Sequence, residues 1–89
     1  MKQHLFYEPT DEFIQRLGLH IEEAETWVEL IDKESILEAT RGIGFNKETG
    51  QVRLWIAPSR YLSSELLFDG YLPDEAALEA VIKWTNWAA

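Results

Sequence analysis

Apolar and polar positions alternate most regularly between residues 41 and 58, RGIGFNKETGQVRLWIAP, and that alternation predicts a β-hairpin. Lys47-Glu48-Thr49-Gly50 reads as a four-residue loop built around a type I turn, with Gly50 taking the left-handed position at its end. Pairing outward from Asn46 and Gln51 sets Phe45 opposite Val52, Ile43 opposite Leu54 and Arg41 opposite Ile56, an apolar face. On the reverse face Gly44 meets Arg53 and Gly42 meets Trp55, so the indole is expected to lie across backbone that the glycines leave bare. A one-residue slip would split Phe45, Ile43, Val52 and Leu54 from their shared face, which argues for this register.

The other elements follow in chain order. Residues 3–8 read as a short N-terminal strand. Thr10 caps a helix over 10–17, with Asp11 and Glu12 in its first turn, a buried stripe of Phe13, Ile14 and Leu17, a left-handed stop at Gly18 and Leu19 folding back toward Ile14. Residues 21–33 carry the strongest helical period: Ile21, Ala24, Val28 and Ile31 recur at three- and four-residue steps, with Trp27 and Leu30 widening the stripe. That period fails after Glu34, so the hairpin is expected to span 36–46 and 51–57. Residues 59–72 suit either a helix through Leu62 and Leu66 or a third strand, and 64–68 is taken as strand before an Asp69-Gly70 turn. A last helix over 73–87 opens on Pro73, with Leu78, Val81, Ile82 and Thr85 along its buried face and Trp84 at the edge of that face.

These elements define an α+β domain, residues 1–89, in which helices cover a small antiparallel sheet. From residue 21 onward the expected helix, three strands and helix resemble the topology of the double-stranded-RNA-binding domain. RNA binding is not carried over. Lys83 is the only base in the last helix, beside Asp74, Glu75 and Glu79, where phosphate contact would need positive charge.

Charge changes the picture further. Sixteen acids against eight Lys and Arg leave a net charge of −8, which disfavours nucleic acid and anionic membranes and favours a basic partner. The absence of cysteine rules out disulfides and thiolate metal ligands, and no apolar run reaches the length of a signal peptide core or a membrane span, so a cytoplasmic location is expected.

Catalytic chemistry finds little footing. His4 and His20 have no metal-ligand spacing, Ser35, Ser59, Ser63 and Ser64 lack a nucleophile motif, and Gly42-Ile43-Gly44 lies within a strand rather than at a phosphate-binding turn. No catalytic residue, metal or cofactor is therefore expected, and the chain reads as a non-enzyme.

Two surfaces remain as candidates. Residues 22–38 hold seven acids and one base, six of the eight net negative charges, and on a helix Glu22, Glu25, Glu29 and Asp32 would form one carboxylate row spaced at about 4.5–6 Å, near the spacing of phosphates on a nucleic-acid strand. Such a row would either be an ordinary solvated face or occupy a basic groove. The leading reading is an inhibitor or regulator of a basic, nucleic-acid-handling protein, a class in which small acidic inhibitors, phage-encoded ones among them, have this size and charge. The alternative is an accessory subunit, or a weak homodimer, contacting its partner through a second face of the last helix formed by Ala76, Ala80, Lys83 and Trp87. Trp87 equally suits folding back over the chain terminus.

Overall fold

The structure, a computed structural model, describes residues 9–32, 39–57 and 64–88. Its centre is the expected hairpin. Strands β3 (Arg41–Asn46) and β4 (Gln51–Ile56) pair in the anticipated register, with Phe45 opposite Val52, Ile43 opposite Leu54 and Gly42 opposite Trp55. Asn46 Oδ1 accepts the amides of Glu48 and Thr49 at 2.8 and 3.0 Å, and Gly50 turns left-handed at φ 82°. Trp55 covers Gly42 so closely that a Cβ there would lie 2.3 Å from the indole, while Gly44 is covered instead by the Glu29 carboxylate.

The largest departure from expectation lies at 21–33, which forms no helix. It is a second hairpin, β1 (His20–Glu23) and β2 (Trp27–Ile31), in which Glu22 faces Glu29 and Glu23 faces Val28. The same apolar residues satisfy a period of two: Val28 and Leu30 line one face of β2, with Trp27, Glu29 and Ile31 on the other. Non-local pairing decides between the two patterns, because β2 satisfies the free edge of β3 and sets Val28 against Phe45 and Leu30 against Ile43. Trp27 accordingly leaves the core side for the reverse face. With this helix gone, the order no longer matches that of the double-stranded-RNA-binding domain.

The third expected strand is β5 (Glu65–Tyr71), longer than 64–68 and pairing antiparallel with β4. Leu54 meets Phe68 and Trp55 meets Leu66, leaving Leu67 as a bulge. The sheet runs in sequence order, β1-β2-β3-β4-β5, all antiparallel. β3 does not reach back to the expected position 36. Residues 39–40 are not strand, because Thr40 gives its amide to the Asp32 carboxylate at 2.9 Å, and positions 36–38, like the expected strand at 3–8, lie outside the described residues.

Two helices cover one face. Helix α1 (Asp11–Leu17) has the expected caps: the Thr10 side chain accepts the Phe13 amide at 3.1 Å, Gly18 is left-handed at φ 67°, and the Leu19 amide returns to the Ile14 carbonyl at 3.0 Å. Helix α2 (Glu75–Thr85) is shorter than the expected 73–87 at both ends. Asp74, with extended backbone, is the N-cap and accepts the Ala77 amide at 2.9 Å, so Pro73 stands outside the helix; Asn86, at φ 64°, ends it. Arg16 of α1 bridges to Glu79 of α2 at 2.7 Å, and Thr10 donates to Glu75. Phe13, Leu19, Leu78, Ile82 and Trp87 close the core over Leu30, Ile43, Phe45, Val52 and Leu54. The architecture is the expected α+β class, with five antiparallel strands and two helices among the described residues where three helices were expected. No helix among the described residues is long and apolar enough to cross a membrane.

Candidate protein-binding surface

The four acids expected in one helical row are dispersed by the β1–β2 hairpin. Glu22 is exposed on β1, Glu25 is exposed in the turn, Glu29 is half-buried on β2, and Asp32 lies just beyond β2, tied to the start of β3. The row fails because strand parity sends Glu22 and Glu29 to one face, while the turn takes Glu25 out of both. Trp87 and Ala80 also separate. Ala80 is exposed on the outer side of α2, whereas Trp87 is 1% exposed and faces the core. The left-handed Asn86 breaks the helical period one residue before Trp87, redirecting its indole N–H to the carbonyls of Gly42 and Trp55 at 3.1 and 3.0 Å. Trp84, expected at the margin of the buried face, is instead 80% exposed.

What the fold brings together is a groove between α1 and the acidic hairpin. Ile14, Ile21, Val28 and Leu30 line its apolar part, and Pro9, Asp11, Glu23 and Lys47 complete it. Ile21 is 53% exposed there, on an edge strand whose every residue is exposed. At about 200 Å3 the groove suits one inserted side chain and falls below the ~300–1,000 Å3 of sites that enclose a metabolite. Lys47 is held by Glu23 at 3.1 Å, and among the described residues Asp11, Glu22 and Glu25 have no ion-pair partner. Ile21 and Asp11 are not apparent as site residues from the sequence, because a helical period at 21–33 buries Ile21; the alternation of Trp27 to Ile31 was the signal against it.

On the reverse face of the sheet several polar side chains pair with one another. The Arg53 guanidinium stacks 4.7 Å from the Trp27 ring and pairs with Asp69 at 3.7 Å, Asp69 accepts from Gln51, and the Trp55 indole donates to Glu29 at 3.1 Å. Burial holds the Glu29 carboxyl above its ordinary value of 4.5, against the opposing pull of the Trp55 hydrogen bond and the Arg53 charge. For Asp32 burial also acts upward, but hydrogen bonds from the Thr40 hydroxyl, the Thr40 and Arg41 amides and the Arg41 charge outweigh it, leaving the carboxyl below its ordinary 3.8. Among the described residues no three His, Asp or Glu side chains converge as a metal centre would require.

These two carboxylates give stability opposite pH dependences. Folded Glu29 binds its proton more tightly than the unfolded chain does, so its contribution rises as pH falls through the window above 4.5. Asp32 contributes fully above 3.8 and loses that contribution as pH falls through its depressed folded value. Thermal melts across this range are expected to show midpoints rising from neutral pH toward 4.5 and falling below 3.8. Glu29→Gln should flatten the first limb and Asp32→Asn the second.

Comparison with protein-family models, with curated proteins and with solved structures finds no match to this chain. The fold and this surface therefore carry the functional argument by themselves.

Proposed function

We propose that the chain is a non-enzymatic binding protein that engages a basic protein partner through the β1–β2 hairpin and the groove beside α1. The observation that carries this reading is Ile21: a half-exposed apolar side chain on an edge strand, followed directly by Glu22 and Glu23 and lining a groove with Asp11 across from it. An apolar anchor with the Asp11 carboxylate across the groove and exposed Glu22 and Glu25 on the same hairpin is complementary to a partner segment carrying one apolar side chain among Lys and Arg. The acids on the short edge strand also discourage indiscriminate strand addition, so recognition would run through side chains. Proteins that handle nucleic acids present such basic surfaces, and inhibition or regulation of one by occupying its phosphate-binding groove is the activity proposed.

Affinity capture from the source cells tests this. The wild-type chain should retain a basic protein whose binding weakens about tenfold or more between low and moderate salt, as screening of exposed charge requires. A variant combining Glu22→Gln, Glu25→Gln and Ile21→Asn should fold and lose that protein, because all three side chains are exposed. Retention of the same partner by this variant would reject the hairpin as the contact surface.

A further inference from the structure

The outer face of α2 is the most exposed apolar feature among the described residues. Trp84 stands 80% exposed near its C-terminal end, with Ala80 and Ala76 exposed one and two turns earlier and Glu75, Glu79 and Lys83 beside them. We propose that this face binds a second copy of the chain, through an antiparallel pairing of the two α2 helices centred on Ala80. The proposal is independent of the hairpin surface, since no residue of α2 lines that groove.

The pattern of the helix is self-complementary on reversal. Ala76 and Trp84 stand four residues either side of Ala80, so an antiparallel mate places each indole over the small side chains of the other N-terminal half. Close approach at Ala80 needs no rearrangement, since nothing larger than a methyl group stands at the centre. Charge follows the same symmetry: acids occupy the first half of the helix and Lys83 the second, so reversal brings Lys83 toward the mate's Glu75 and Glu79. Lys83 is available for this contact, whereas Arg16, Arg41, Lys47 and Arg53 each already face a carboxylate of their own chain. Neither an acidic nor a basic partner would match a face that carries both signs in this order. Antiparallel alignment also opposes the two helix dipoles favourably. Two eleven-residue helices bury well below the ~1,200 Å2 of stable complexes, so the dimer is weak, with a dissociation constant on the order of 0.1–1 mM.

The absence of cysteine from the chain permits a direct test. Ala80→Cys places one thiol per chain at the two-fold axis and should form a disulfide-linked dimer under mild oxidation, at least tenfold faster than Glu25→Cys on the distant hairpin. Adding Trp84→Ala to Ala80→Cys should return the rate to that of Glu25→Cys. Sedimentation equilibrium of the unmodified protein should show mass rising with concentration toward 1 mM, and Lys83→Glu should suppress the rise. Exposure of Ala80, Lys83 and Trp84 keeps all these variants folded. A strict monomer near 1 mM, equal cross-linking at positions 80 and 25, or association that Trp84→Ala leaves intact would each overturn the proposal.

Discussion

Trp87→Ala is expected to remove about 3–5 kcal/mol of stability, a large part of the margin of a domain of this size. The side chain is 1% exposed, so truncation leaves a cavity in the hydrophobic core that no solvent contact relieves. Its indole N–H also serves the Gly42 and Trp55 carbonyls, tying the chain beyond α2 to both strands of the central hairpin. The Arg41 guanidinium stacks 5.0 Å from the same ring. Trp87→Phe should cost less, about 1–3 kcal/mol, by keeping most of the buried volume and losing the N–H. Urea titration followed by circular dichroism separates the three proteins; an unchanged midpoint for Trp87→Ala would contradict the placement of this residue in the core.

Asp32→Ala should be the second most damaging substitution, at about 2–4 kcal/mol. One carboxylate accepts the Thr40 amide at 2.9 Å, the Thr40 hydroxyl and the Arg41 amide at 3.4 Å, and it faces Arg41 Nε at 3.4 Å. It thus closes the approach of the chain to β3. Removing it leaves two backbone amides without their acceptor and the Arg41 guanidinium without its ion pair; Arg41 Nε, buried, has no hydrogen bond of its own and relies on this charge. Because Arg41 also packs on Trp87, Asp32→Ala and Trp87→Ala share a partner and should combine less than additively. Equilibrium unfolding of the two single variants and the double variant measures that coupling. A loss below about 0.5 kcal/mol for Asp32→Ala would show that water replaces these bonds freely.

How far the sequence was legible depends on which interactions chose each element. The β3–β4 register is readable because its alternation, its loop glycine and the Trp55–Gly42 contact all select one pairing. Helix α1 is readable for the same reason, since its Thr10 and Gly18 caps are local. The β1–β2 hairpin is not, because Ile21, Val28 and Leu30 satisfy both periods and the turn through Ala24, Glu25 and Thr26 has no Gly, Pro, Asn or Asp to announce it. Only the pairing of β2 with β3, a contact distant in sequence, resolves the ambiguity. The exchange of roles between Trp84 and Trp87 has a local cause that is visible in retrospect: Asn86 suits a left-handed cap, and a helix ended there aims position 87 back at the core. Of the candidate surface, the concentration of acids was legible and the groove was not, since the groove exists only once Ile21 is on an edge strand.

The proposed contact between the acidic hairpin and a basic partner is tested most directly by mapping backbone amide shifts of the labelled chain as the captured partner is added. The account predicts that perturbations concentrate on residues 11–14 and 20–28 and fade as salt is raised. Shifts confined to α2 and Trp84, with residues 20–28 unmoved, would contradict it.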